Sequence, residues 1–487
     1  MKFKTFWIWF VALWLLTGLP LFLLHGVPGT DTPNHVARLH MLANPAAYAG
    51  SYIPDWKLIP NLAVDLLIVP VLKLTGIDAT LLMKVFIFNI FGFFGFGFAL
   101  VNRAVSKKWQ PFGLLGFLFC FSYTMGFGFI NYLFGISVAL CLVGVQLLLV
   151  DRPLLRFFVL SLGLPLLTVM HLMGFGFAAL SILVLAVLSK DRQDRTRFFW
   201  GGWLFGCLMA LVLVKSSSAD PVGLGLVYDA LDARFRNLFF PLNFSGQWMD
   251  FVLWCVVVLL VCWAAFVRKN HPNKVAGWIL VGGLAFVACL PHVMMGSAFL
   301  AARSSLWVFL LGFALIRDCR LALSTVVLII GIRTIDVTSR FLAWNPTLDS
   351  VQAAMASLPP DAIIYQFGEM SADPLTPNGW NPPILHANCG YLLEHPGFVN
   401  NVFAFEGEQP ISIHPDFRPR LHSRYYVSEA GAMRLYQEVL GAMKKHTGAR
   451  AARPVFLYVL LSGADKAPAL PAPVQVSGSR FVVFRLR

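Results

Sequence analysis

The chain has 487 residues, 58% hydrophobic and only 13% charged, with a mean hydropathy of +0.71. A soluble domain carries about 25% charged residues, so composition excludes one. Repeated apolar stretches near the roughly 20 residues that cross a bilayer make this an integral membrane protein. The formal net charge of +14 comes largely from Lys and Arg in short loops, where the positive-inside rule puts them. No compact basic and aromatic module for nucleic acid accompanies it.

Lys2 and Lys4 precede a first span near 5–24, which places the N-terminus in the cytoplasm. The apolar run is long and no small-residue cleavage site follows, so this span reads as retained rather than cleaved. A polar cluster comes next, Gly29-Thr30-Asp31-Thr32-Pro33-Asn34-His35-Val36-Ala37-Arg38. Thr32 before Pro33 has the pattern of a helix cap followed by proline in the first turn. The helix then runs from Asn34 to about Ala43. Asp31 sits at its N-terminal mouth, where backbone N–H groups favour a carboxylate. His35 and Arg38 are three apart and share a face. An acid that deprotonates a hydroxyl, beside donors that hold a phosphate, has this form. The alternative is that Asp31 only caps the helix and Arg38 only reaches lipid headgroups.

Tyr48, Tyr52 and Trp56 follow at a density that suits a segment lying at headgroup level. Ile59-Pro60-Asn61-Leu62 then leads into an apolar stretch, 62–75, that contains Asp65 and either spans or lies in the interface. Further spans are expected near 80–101, 111–128, 131–150, 157–171, 173–189, 198–214, 249–267, 275–291, 304–316 and 321–335. Cytoplasmic loops carrying Arg103, Arg152, Lys190, Arg268 and Arg317 alternate between them, giving eleven spans and an outer C-terminus. Alternating Gly and Phe in 92–98 and 126–129 serve close helix packing or line a groove for an isoprenoid chain.

Three outer segments result: 25–79, 215–248 and everything after about 336. Ionisable and polar residues near them are site candidates. Asn131-Tyr132 lies at an outer turn, and His171 ends a span, where capping or packing is the alternative role. Arg234 and Arg236, near Lys215, suit bidentate phosphate contact. His292 and Arg303 flank a further outer edge. In the last segment 362–365, 455–461 and 481–484 read as short buried strands and 430–446 as an amphipathic helix. The polar stretch from Asn388 through Tyr391, Glu394, His395, Asn400 and Asn401 to Gln409 is either a carbohydrate surface or an ordinary loop region. Seven of the eight cysteines lie in or beside spans, leaving Cys389 alone in the outer domain without metal-ligand spacing.

With Gly29-Thr30-Asp31, His35, Arg38 and the Ile59-Pro60-Asn61-Leu62 turn set in this order of spans, the chain resembles the GT-C superfamily of membrane glycosyltransferases. These take sugars from polyprenyl-phosphate donors. The resemblance covers most of the chain. It implies an all-α polytopic membrane domain at 1–335, with about eleven transmembrane helices and a first periplasmic loop, 25–79, that carries interfacial helices. A small α/β periplasmic domain at 336–487 follows. It makes Asp31 the catalytic base, with Asn34, His35, Arg38, Tyr132, His171, Arg234, Arg236, His292 and Arg303 as substrate-binding candidates. Many members carry a second acid beside the first, whereas here the neighbour is Thr32, so a divalent cation is a candidate cofactor only.

The expected function is transfer of a sugar from a polyprenyl-phosphate donor to a glycan, lipid or protein acceptor. It would take place on the periplasmic face of a bacterial inner membrane, with inversion at the sugar. The competing readings are a transporter or flippase of lipid-linked sugars and a non-catalytic protein of envelope-polymer assembly. No internal repeat of broken helices favours the transporter. Walker, dinucleotide and nucleophile-elbow motifs are lacking in the sequence.

Overall fold

The computed structural model describes residues 1–188, 197–216, 228, 241–244, 248–263, 274–291, 293–294, 297–298, 300–317, 319, 321–369, 385–404, 409–417, 424–426, 429–444, 452–461, 468–478 and 480–487. Two compact units divide the chain, and neither is continuous in sequence. Met1–Phe22, Leu58–Val64 and Val85–Ser339 form the first; Leu23–Lys57, Asp65–Lys84 and Arg340–Arg487 form the second.

The first unit is built of apolar helices. Phe3–Leu23, Ala79–Ser106, Ile130–Leu148 and Pro153–Met170 are each long and apolar enough to cross a bilayer. Shorter apolar helices follow at Leu172–Leu188, Trp248–Cys262, Lys274–Cys289 and Leu300–Ala314. With Arg197–Ser216 and Leu323–Ala356, every expected span except one coincides with an α-helix. The exception is 111–128, where a 3-10 helix, Pro111–Phe121, is followed by one short α-helix, Tyr123–Phe127. Gly113 and Gly116 lower its α propensity. Gly116 is also pressed on its neighbour, since a Cβ there would lie 2.6 Å from Phe98 Cβ. At about 2.0 Å per residue the thinner 3-10 form also reaches further than an α-helix of equal length.

Glycine acts here through close approach. A Cβ on Gly97 would lie 2.9 Å from the backbone nitrogen of Cys141, and one on Gly144 would lie 2.9 Å from that of Val101. Helices Ala79–Ser106 and Ile130–Leu148 therefore touch backbone to backbone, and phenylalanine rings fill the spaces around them. Packing is the role the structure gives the alternating Gly and Phe of 92–98.

One buried charge network ties this unit together. Arg333, 1% exposed, donates from Nη1 to Asp250 at 2.5 Å, and from Nη2 to the carbonyls of Phe121 (2.6 Å) and Leu242 (2.7 Å). One guanidinium thus joins helix Leu323–Ala356 to the end of the 3-10 helix, the segment 241–244 and the first turn of Trp248–Cys262. Helix Leu323–Ala356 runs without a break beyond the expected last span at 321–335.

The second unit holds a six-stranded mixed sheet. Ile363–Glu369 and Val455–Leu460 pair in parallel along its centre, in register Ile363↔Val455 to Gly368↔Leu460. A parallel pair needs a crossover, and helix Glu429–Met443 lies within it. Phe481–Arg485 and Val474–Ser477 extend one side antiparallel, while Phe398–Val399 and Arg424–Tyr426 pair with the two halves of Ile363–Glu369. Val455–Leu460 is buried throughout and Phe481–Arg485 up to its last residue, the exposed Arg485, which explains their apolar runs.

The first long loop belongs to this second unit except at Leu58–Val64. Tyr52–Pro54 pairs antiparallel with Ile411–Ile413, in register Tyr52↔Ile413. The Tyr52 hydroxyl donates to the Val399 carbonyl at 2.9 Å and accepts from its N–H at 3.0 Å, and Tyr48 donates to the Leu392 carbonyl. Both rings are buried, so of the three aromatics expected at headgroup level only Trp56 is exposed. The reason is physical: each phenol finds a backbone partner inside the unit, which lets the whole ring leave solvent.

Replacing Arg333 by Met leaves the Asp250 carboxylate, itself 2% exposed, without its charge partner. The expected cost is about 3–5 kcal/mol, read as a lower thermal midpoint in detergent. The pair of changes Arg333→Met and Asp250→Leu should cost less than Arg333→Met alone.

Candidate active site

The polar cluster begins with a turn that only glycine adopts easily, Gly29 at φ +91°. It delivers the chain into helix Thr32–Ala43, which starts at Thr32. The cap position is thus Asp31, one residue earlier than the sequence suggests, and Pro33 lies in the first turn. Thr32 does not cap; its hydroxyl turns back to donate to the Pro28 carbonyl at 2.5 Å. The Asp31 carbonyl accepts the first helical bonds from Asn34 and His35 at 3.1 and 3.2 Å, while its carboxylate makes no capping bond. That carboxylate is 16% exposed and lies 3.4 Å from Nε2 of His386. The Asp31 backbone is itself helical, at φ −87° and ψ −12°, which takes its carboxylate out of the usual capping geometry.

Arg38 receives a different assignment from the expected one. Its side chain is 0% exposed, and Nε and Nη2 grip both carboxylate oxygens of Asp65 at 2.9 and 3.0 Å. Nη1 donates to Gln409 at 2.5 Å. A fork-on-fork pair of this kind is the strong, geometrically fixed form of ion pair. It binds helix Thr32–Ala43 to helix Ala63–Thr75 instead of facing a ligand.

Asn34 is 0% exposed, and backbone groups orient its carboxamide. Oδ1 accepts from the Phe403 N–H at 2.6 Å and Nδ2 donates to the Asn401 carbonyl at 2.7 Å. Both ends of this side chain are committed inside the protein. His35 is buried too, its ring 6.0 Å from that of Phe403 and roughly perpendicular to it. Burial lowers its pKa well below 6.5, and the nearby Arg38 charge lowers it further. The cationic face expected from His35 and Arg38 is therefore internal: one ring is kept neutral and the one charge is paired.

The polar stretch of the C-terminal segment is divided: Glu394 is exposed and 405–408 lie outside the described residues, whereas four of its members turn inward. Asn388, Tyr391, Asn400 and Asn401 are all buried. Asn388 and Asn401 bond each other, Asn400 accepts from the Gln366 N–H at 2.9 Å, and the Tyr391 hydroxyl donates to the Pro359 carbonyl at 2.8 Å. This network carries His386, which no motif or periodicity singles out in the sequence. Asp65 had a visible signal, as an acid inside an apolar stretch, but its pairing with Arg38, 27 positions away, did not.

In the first unit, Tyr132, His171 and Arg303 come together. Tyr132 donates to the Arg303 carbonyl at 2.5 Å, and its ring lies 5.3 Å from that of His171. The Arg303 guanidinium sits 3.8 Å over the Phe129 ring, a cation–π contact. His171 accepts from the Met173 N–H at 3.1 Å through Nδ1, so it caps the turn between Pro153–Met170 and Leu172–Leu188. The Ile59-Pro60-Asn61-Leu62 turn also belongs to this unit at its end, with Asn61 in the left-handed region at φ +70° and Leu62 N–H donating to the Val169 carbonyl at 3.0 Å. Arg234, Arg236 and His292 lie outside the described residues. Among the described residues, no group of three or more His, Cys, Asp or Glu is placed to hold a metal ion.

The depressed His35 pKa has a consequence for stability. The unfolded chain takes up a proton near pH 6.5 that the folded chain refuses, so the unfolded state binds more protons below that pH. The contribution of a neutral His35 is present above pH 6.5 and is lost as pH falls from there. Thermal midpoints in detergent should drop from pH 7 to pH 5, and His35→Phe should flatten that slope.

Two solved structures share this architecture from end to end. ArnT from Cupriavidus metallidurans bound to undecaprenyl phosphate aligns with a TM-score of 0.54, and its apo state with 0.56. Each covers 99% of this chain and 98% of its own, at 12% sequence identity. No family model matches the sequence, and no curated relative does. Identity at this level carries the fold and not the chemistry. The chain has the fold of ArnT, a set of apolar helices that marks a multi-pass membrane protein, and a small C-terminal sheet region.

Proposed function

We propose that this protein is a glycosyltransferase of the bacterial inner membrane, moving a sugar from a polyprenyl-phosphate donor to an envelope acceptor on the periplasmic face. The observation that carries the reading is the Asp31 carboxylate: accessible, at a helix N-terminus, and not used to cap it. The ArnT fold supports a polyprenyl-phosphate carrier, since one of those structures holds undecaprenyl phosphate. Eleven spans and an outer C-terminal unit, 336–487, complete the topology.

The reaction is a single displacement. The acceptor hydroxyl oxygen attacks the anomeric carbon and passes its proton to Asp31. The bond from that carbon to the phosphate oxygen breaks, and polyprenyl phosphate leaves with the electron pair. Inversion at the sugar follows. The lipid phosphate is itself the activated leaving group, so nucleotide is not required. Chemical demand on the protein reduces to placing two partners and stabilising charge on the departing phosphate. Arg303, Arg234 and Arg236 are the cations offered for that phosphate, with Tyr132, His171 and His292 as further contacts. Arg38 instead sets the frame in which Asp31 is held.

Asp31→Asn tests the assignment. Purified protein would receive labelled polyprenyl-phosphate sugars of several kinds with a crude envelope acceptor fraction. Wild type should transfer label, and Asp31→Asn should lose roughly 10²–10⁴-fold in kcat while donor affinity holds. Equal transfer by both overturns Asp31 as the base. Donor binding without transfer by either overturns the enzyme reading in favour of a transporter or a silent assembly protein.

A further inference from the structure

The Asp31 site contains an imidazole whose proton position can be read from the groups around it. Asn34 is oriented without ambiguity, because one end of its carboxamide meets a backbone N–H and the other a backbone carbonyl. Its second Nδ2 hydrogen is left to face Nδ1 of His386, 3.4 Å away. Gln366 is fixed in the same way: its Nε2 donates to the Leu385 carbonyl at 2.6 Å, which turns Oε1 toward Asn401. An acceptor there demands a donor, so the Asn401 Nδ2 points inward, and it lies 2.9 Å from the same Nδ1 of His386. Asn401 Nδ2 divides its two hydrogens among Gln366 Oε1, Asn388 Oδ1 and this ring nitrogen, so only amide N–H groups face Nδ1, and a proton placed there would meet no acceptor. That nitrogen must be the acceptor, and the proton of the neutral ring is on Nε2. Nε2 is the atom 3.4 Å from the Asp31 carboxylate.

We infer that His386 is a positioning residue for Asp31: the Asn34–Asn401 carboxamides fix it as the Nε2–H tautomer, and that N–H holds the carboxylate in one orientation. The inference rests on the reading of Asp31 as the base. The 3.4 Å separation is longer than a formed hydrogen bond, and such contacts tighten when substrate closes the site. The role is distinct from bearing charge on the sugar or the phosphate. With one carboxylate oxygen turned to His386, the other is left for the acceptor hydroxyl.

Two measurements test this. In nanodiscs containing full-length protein labelled with ¹⁵N-histidine, the His386 signals are assigned by their loss in His386→Gln. Nδ1 should resonate as unprotonated and Nε2 as protonated, and Asp31→Asn should move the Nε2 signal. A proton on Nδ1, or no response to Asp31→Asn, overturns the inference whatever the protein's activity. In the transfer assay, His386→Phe keeps the ring contact and removes the N–H, and should lower kcat roughly 10- to 100-fold with donor KM little changed. His386→Gln, which restores an N–H donor, should recover most of that loss. The double variant Asp31→Asn with His386→Phe should be no slower than Asp31→Asn alone, because the two act as one unit. Loss in Asp31→Asn with full kcat in His386→Phe overturns the positioning role and leaves Asp31 as the base. Full transfer in Asp31→Asn overturns the base itself.

Discussion

The pair formed by Arg38 and Asp65 holds the loop that carries the candidate base. Both side chains are 0% exposed and meet through two parallel hydrogen bonds. A lone charge at that depth would cost several kcal/mol, so neither residue tolerates loss of the other. The consequence is geometric: helix Thr32–Ala43 is fixed in rotation and position against helix Ala63–Thr75, and Gln409 takes the remaining guanidinium edge. Everything N-terminal on that helix inherits the constraint, Asp31 first of all. A buried ion pair is weak support for stability in general; here its value is that it leaves one orientation.

From that frame the division of labour among the polar residues follows. Asn34 and His35 are one turn or less from Arg38 and are buried with it, one aligning His386 and the other packed neutral against Phe403. Only Asp31, at the end of the helix, combines partial exposure with an uncommitted carboxylate. A cluster that looks in sequence like a row of ligands for one substrate is in three dimensions one acid and its scaffold. The scaffold is assembled from distant parts of the chain: strand Tyr52–Pro54 pairs with Ile411–Ile413, and the Tyr52 phenol is locked to Val399. The C-terminal sheet is therefore part of how the first loop is held.

The sequence speaks clearly where one constraint acts locally. A bilayer demands an apolar helix of sufficient length, and 3–23, 79–106, 130–148 and 153–170 announce themselves in that way. The unbroken apolar runs at 455–460 and 481–484 do so as well, because a strand buried on both faces has no polar alternation to lose. The 3-10 geometry of 111–121 does not, since it arises from glycines pressed on neighbouring helices and not from the segment's own period. The reach of Tyr48 and Tyr52 was equally hidden. Interfacial and buried tyrosines have the same composition, and only a partner some 345 positions away separates them. Arg38 carried a partial signal, because a guanidinium near an apolar face implies a partner, and Asp65 inside an apolar run was the one waiting.

His386 shows why the rest of the site escaped. A single histidine has no periodicity, and the carboxamides that define its tautomer lie at 34, 366 and 401. Asn and Gln in a dense stretch suggest surface or sugar contact by composition. In the fold they are instead satisfied almost entirely by one another and by backbone groups, as buried polar atoms must be. Such a network has little tolerance, because each member turned over would set donor against donor or acceptor against acceptor. That intolerance makes it useful beside an acid that has to present one oxygen to an acceptor. A surface loop of the same composition would leave the imidazole free to choose its tautomer and Asp31 free to fold back onto its own helix.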